Sequence, residues 1–529
     1  MGDASVRQES PLEHRLPGCS AAATRDEWLL SVGVIAITSA VALLMFPQVR
    51  HWFIVPVSTA GILVGVDAIS WLRRRVDLLD PQAMLSLLGV HLFYVAPVLH
   101  VVLDHWPRFL LPVADWPTAL GVMGLVNTAG LCLYRGALAV AAGVPDRLPS
   151  RRRVDGRQVA TARLRPDVLY VCGLLAALLG VLAFGMLLLI LGGPGQLLTA
   201  YTLDRAALEN LGWLLILAES FPLICFALAM VRWREALRHR PWLIFLVLVG
   251  FAVVQFLVGG LRGSRSNTLW PIVLGLVLIH LLVRQISGRV FVVVALGTGL
   301  FLYSYGLYKG AGTDVVRVVD GKESIAEISA QTGRDLPTLL LGDLSRADVQ
   351  ALVLDRHRQG AGELGLGTSY LNAVIMPVPS AVLPHRPPDK VELGTDLTTG
   401  AGMYESGRRS SRIYGLAGEA VLNFGPVGAI LSFLVLGIFT RWCRQRYLAA
   451  RHQGGLAARL LAPVLSLAPP MVLLNDSGNY VWFFVKFVLP LLAVVTAAMT
   501  ITRLRTARGQ YGRVVGQPGS GHVRVSTTR

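Results

Sequence analysis

The sequence predicts an all-α, polytopic membrane protein of about 12 spans, with a large extracytoplasmic loop between spans 9 and 10. Three observations carry this. Mean hydropathy is +0.57, with 53% hydrophobic and 15% charged residues. Apolar runs long enough to cross a bilayer core recur along the chain, about 20 residues at 1.5 Å each sufficing. The excess of positive over negative charge is confined to the tails and alternate links between those runs.

The elements follow in order. Residues 1–27 form a polar, acid-containing tail. No small-residue cleavage site follows the first apolar run, which is therefore expected to be a retained span. Spans are expected at 28–46, 52–72, 83–103, 117–141, 168–191, 211–231, 242–261, 267–283 and 289–308. The third contains His91 and Pro97. A hydrophilic loop occupies 309–416, followed by spans at 417–440, 457–474 and 481–501, the eleventh carrying Pro469-Pro470. Inside the loop, 324–332 and 345–357 have apolar residues at helical spacing, expected to form amphipathic helices at the membrane surface. Ser345 with Asp348 fits a loose capping box. The link 143–167 reads as a solvated connector. The tail 502–529 is basic and expected to be disordered.

Charge sets orientation. The two tails and the links 73–80, 146–167, 232–240, 284–289 and 441–451 hold 29 Arg against 11 Asp and Glu, whereas the long loop holds 12 Lys and Arg against 13 Asp and Glu. The positive-inside rule then puts both termini in the cytoplasm and the loop outside. The net charge of +17 is a topology signal and calls for no nucleic acid. The loop contains no cysteine, so no disulfide is expected there, and no metal-ligand spacing occurs in the sequence.

Two cationic groups on the loop side are the leading site candidates. Arg262 and Arg265 occupy the short link "GGLRGSRSN", where glycines 259, 260 and 263 would let a ligand approach the backbone. Arg408, Arg409 and Arg412 precede span 10. Guanidinium forks bind phosphate and carboxylate in bidentate fashion, so together they could hold one anionic group. The plainer alternatives are a capped turn and interfacial anchoring. Glu419, at the start of span 10, is either an acid/base group or a carboxylate favoured by the helix dipole. Glu219, about eight residues into span 6, is costly at that depth and must face a cavity or pair with an arginine of another span. Tyr414 beside Arg412, Asn423 one turn after Glu419, and the loop His385 complete the candidates. Asp67 and His280 are expected near the interface, and Asp476 is a substrate contact or a helix cap.

Three segments, "GLRGSRSNTLWP", "GTSYLNAVIMPVPSAVLPHRPPDK" and "GLAGEAVLNFGPVGAILSFLVLGIFTR", in this order and within twelve spans, resemble the bacterial O-antigen and oligosaccharide repeat-unit polymerases. The last is similar to that family's Glu-x-x-x-Asn-Phe-Gly-x-x-Gly span. The Arg-x10-Gly spacing of some members is not reproduced, since nine residues separate Arg265 from Gly275. The related O-antigen ligases share the architecture. The resemblance implies an inverting glycosyltransferase with no cofactor, metal or nucleotide sugar. It would use polyprenyl-diphosphate-linked oligosaccharides as donor and acceptor at the extracytoplasmic surface of the cell membrane. Arg265, Arg412 and Glu419 would be its catalytic residues, Arg262, Arg408, Arg409, His385, Tyr414, Asn423 and Glu219 its substrate contacts. A chain-length regulator and a flippase are the expected partners. The rival readings are a ligase, a transporter, which predicts inverted repeats, broken helices and several mid-membrane charges, and a non-catalytic scaffold.

Overall fold

A computed structural model describes residues 23–106, 110–142, 164–202, 205–208, 211–262, 264–311, 335–379, 382–410 and 412–515, with isolated positions between 324 and 333. Among them there is no strand, and twelve helices are long and apolar enough to span a membrane. Every expected span has its helix. Spans 1–6 are Arg25–Met45, Ile54–Leu72, Pro81–Val102, Trp116–Val140, Pro166–Leu191 and Gly212–Arg232. Spans 7–12 are Pro241–Gly260, Arg265–Leu282, Gly288–Tyr308, Gly415–Gln453, Leu456–Leu474 and Ser477–Thr506. The chain is a multi-pass membrane protein. Because the spans alternate, the link after span 7, the 309–414 segment and the link after span 11 share one face, here the loop face.

Inner and outer helices are distinguished by what they bury. Of the most apolar stretch of span 6, 67% is buried, against 17% for span 9 and 22% for span 5. Span 5 shows Leu174, Leu178, Leu182 and Leu189 outward, an apolar surface suited to hydrocarbon rather than water. One core joins spans 2–4 to the start of span 10 and to the loop helix Ala347–Arg358; a second joins spans 6, 8, 11 and 12.

The loop helix at 347–358 departs from the expected surface position. Its residues Ala347–Leu354 are buried, packed under span 4 and span 10. Ser345 Oγ accepts from the Ala347 amide at 3.1 Å, but Asp348 turns away from the cap toward Arg412. Of the expected helix at 324–332, positions 325, 327 and 329 are described and helical, and residues 143–163 of the expected connector at 143–167 lie outside the described residues. The last helix, Leu489–Val515, continues well past 502, so the start of the supposedly disordered tail is helical; residues beyond 515 are outside the described set. Asp67 is buried rather than interfacial, paired with Arg135 at 3.0 Å and with Ser86 at 3.2 Å. His280 is likewise enclosed, 3.2 Å from Asp77.

Several spans are interrupted on the loop side. Turns of π-helix occur at His91–Val95, Phe256–Gly260 and Phe484–Val488; the first lies just before Pro97, whose missing N–H the widened turn absorbs. Span 10 is broken outright at Gly425, with φ 67° and ψ −163°, a region open to glycine alone. Pro426 follows and has no N–H for the Leu422 carbonyl. The loop supplies what is missing: the Gly365 amide donates to Leu422 O and the Leu366 amide to Asn423 O, both at 3.0 Å. Backbone groups left open inside a membrane protein must be satisfied by protein in this way.

Candidate functional site

Span 6, the link after span 7, the start of span 8 and the helix Ser477–Phe483 enclose a cavity of about 460 Å³ on the loop face. Arg262, Lys486, Asn267, Asn475 and Asn479 bring polar groups to its wall, and Trp270 and Trp482 bring flat apolar surface. Beneath it lies Glu219, fully buried, with Arg262 Nη2 at 3.0 Å from one carboxylate oxygen and Lys486 Nζ at 2.9 Å from the other. A buried carboxylate persists only when paired. Here two cations surround one anion, so the group carries one positive charge in excess, at the wall of the cavity. Lys486 also reaches Asn267 Oδ1 at 3.3 Å.

The π turns place these cations. Arg262 follows the Phe256–Gly260 turn, whose carbonyls are claimed by tyrosines: Tyr201 Oη donates to Val258 O at 3.2 Å and Tyr305 Oη to Gly260 O at 2.7 Å. Lys486 sits inside the Phe484–Val488 turn. Gly259 and Gly260 were expected to admit a ligand, but they admit protein: a Cβ at 259 would stand 3.3 Å from Glu219 Cγ, and one at 260 would stand 2.3 Å from Thr268 Oγ1.

A second cationic group begins at Arg265, which the cavity residues Ser264 and Ser266 flank in the chain. Arg265 pairs with Asp343 at 2.9 Å, and Arg412 with Asp348. Between them lies Arg346, which donates to the Leu474 carbonyl, next to the cavity residue Asn475, at 3.2 Å. Burial is the largest cause lowering the Arg346 guanidinium, to about 10, and the neighbouring Arg412 and Arg265 act in the same direction against Asp348 and Asp343. The two arginine groups anticipated from sequence therefore do converge, through Arg265 and Arg412. Arg262 instead turns inward to Glu219.

The remaining candidates lie elsewhere. Arg408 and Arg409 are exposed, the Arg409 guanidinium standing 5.1 Å from the Tyr404 ring centre. His385 is exposed on the loop. Glu419 is buried and saturated: it accepts from Ser369 Oγ at 2.8 Å and from the amide and hydroxyl of Ser477, each at 2.6 Å. Asn423 donates to Ser369 Oγ at 2.8 Å and accepts from the Gly367 amide at 3.0 Å. Both side chains, expected to be a catalytic group and a substrate contact, thus fasten the loop helix Thr368–Ile375 and the start of span 12 to span 10. Tyr414 is fully buried against Gly394 and Thr398, its hydroxyl pushed up to about 12, chiefly by that burial, and so turned from any substrate. Its amide and that of Gly415 donate to Asp476 Oδ1 at 2.7 and 2.8 Å, and Lys390 pairs with the other oxygen, so Asp476 is a fastening too.

Sequence reasoning missed Lys486, Arg346 and Lys390. Lys486 had a readable signal, a lone lysine in the apolar run "VWFFVKFVLP". Arg346 and Lys390 had none, being ordinary charges of a hydrophilic loop until the fold buries them. Among the described residues no group of three or more His, Cys, Asp or Glu is placed to hold a metal. No protein-family model, curated protein or solved structure matches this chain.

Proposed function

We propose that this chain is a membrane glycosyltransferase that joins oligosaccharide units carried on polyprenyl diphosphate, working from the loop face, which the charge asymmetry makes extracytoplasmic. The observation that carries the reading is the cavity wall with an excess cation, Arg262 and Lys486 over Glu219, together with the group of Arg265, Arg346 and Arg412. A diphosphate leaving group needs fixed cations at the membrane surface. Arginines already held in place stabilise the charge that develops as the anomeric C–O bond breaks. An acceptor hydroxyl forms the new glycosidic bond, the polyprenyl diphosphate departs, and the hydroxyl proton passes to it or to water. Asn475, Asn479, Trp270 and Trp482 suit sugar hydroxyls and ring faces. The exposed flanks of spans 5, 7 and 9 leave the lipid tail in hydrocarbon. The expected partners are the lipid-linked donor and acceptor, a chain-length regulator and a flippase.

A transporter is the second reading, favoured by the break at Gly425 and by Glu219 and Lys486 both lying deep in spans. One experiment separates them. Bilayer-reconstituted protein is incubated with a polyprenyl-diphosphate-linked repeat unit, and products are resolved on a gel. A ladder is expected, absent in Arg265→Ala and Arg412→Ala at normal protein level and less than about a tenth restored by Arg265→Lys, since lysine lacks the planar fork. Transfer onto an unrelated acceptor without a ladder would make it a ligase. Substrate crossing the bilayer unchanged would make it a transporter.

A further inference from the structure

Spans 6 and 8, which help to enclose the loop-face cavity, end on the opposite face beside a second hollow of about 550 Å³. Its wall carries Arg234, Arg238, Arg284, Arg451, Arg459 and His452, drawn from the link after span 6, the end of span 8, the end of span 10 and the start of span 11. Topology accounts for arginines in these links, but not for their convergence from four chain segments on one concavity. Among the described residues no carboxylate lines it. Among the described residues the acidic partners nearby are two: Asp77, which holds Arg451 with help from Tyr447 Oη at 2.8 Å, and the exposed Glu235, 3.8 Å from Arg234 and 3.7 Å from Arg238. Five guanidinium groups thus meet two carboxylates. The Nε–H groups of Arg234 and Arg459 are buried without a hydrogen-bond partner. Leaving such donors unmade is costly, and a ligand oxygen would satisfy them.

We propose that this hollow is a binding site for a phosphate-bearing anion, distinct from the diphosphate site of the loop face and independent of the function argued above. The Asp77 contact fixes one wall, and the remaining guanidiniums present forks to a phosphate, each able to take two oxygens. The phosphate belongs either to an anionic lipid headgroup, since the hollow opens at the membrane surface, or to a soluble phosphate ester.

The test uses the full chain in neutral detergent. Native mass spectrometry reads retention of phosphatidylglycerol against phosphatidylcholine, and titration calorimetry reads inorganic pyrophosphate. Wild type is expected to retain at least one probe, with Arg234→Gln/Arg459→Gln weakening it about tenfold. Lipid retention alone assigns the headgroup as source, and pyrophosphate alone assigns a soluble phosphate. Equal binding by wild type and double variant of both probes, or binding of neither by wild type, overturns the proposal. Should the double variant fail to fold, Arg284→Gln, at an exposed position, serves with an expected loss of about threefold.

Discussion

Glu219 and Glu419 invite comparison. Both are carboxylates in the loop-face halves of spans, and both are almost wholly buried, at 0% and 2% exposure. Glu219 is met by two charged groups beside a cavity. Glu419 is met by two hydroxyls and an amide in close packing. Neutral donors satisfy a carboxylate's lone pairs and leave no cation over. Two cations leave one charge over, which a hollow then offers to a ligand. Burial alone does not separate a site from a fastening; the charge of the neighbours and the space beside them do.

Breaking this contrast should cost most at Glu219. Glu219→Ala strands Arg262 and Lys486 and is expected to destabilise by about 3–5 kcal/mol, largely recovered by adding Lys486→Met. Thermal unfolding in detergent reads both, and a double variant no better than the single one would mean the three residues do not act as a charge group. Glu419→Gln replaces one accepting oxygen by a donor facing Ser369 or Ser477, at a cost of about 1–3 kcal/mol. Product formed per folded molecule should stay within about twofold, and a collapse of turnover at full folding would return Glu419 to the reaction. Gly425→Ala puts a Cβ where φ is 67° and is expected to cost about 1–3 kcal/mol. Faster hydrogen exchange at the Gly365 and Leu366 amides would accompany it, and unchanged exchange would show that the break does not hold the loop.

A dependence on pH is expected at Lys390. Burial lowers its ammonium from 10.5 to about 8, outweighing the nearby Glu419. Between those values the unfolded chain keeps a proton that the folded chain has released, so stability should rise with pH from about 8 to about 10.5. Lys390→Met should flatten that slope, and an equally steep slope in the variant would assign it to another group.

The spans were legible because hydropathy is local: each apolar run declares itself without its neighbours. The cost of a charge at depth made Glu219 legible, and the same rule applies to Lys486. Their meeting was not, since Arg262 comes from the link after span 7 and Lys486 from span 12, and only packing unites them with Glu219. The "EAVLNFGPVG" stretch stood out as a pattern, yet its physical meaning, a helix opened so that a loop can bond to it, needed the contacts of Gly365 and Leu366. Arg408 and Arg409 show the reverse: clustered in sequence with Arg412, they stay at the surface because Asp348 lies within reach of only the third.

The break at Gly425 also bears on biogenesis. A ribosome delivers residues 365–367 before span 10, so the strip of chain that closes the break is already made when the tenth helix leaves the insertion machinery. Until it docks, two carbonyls stand open to hydrocarbon, a state expensive enough to hold that helix near the aqueous channel or the membrane edge. The loop would then act as a template for its own membrane anchor, and a chain with 364–367 deleted should stall as an incompletely inserted, protease-sensitive intermediate.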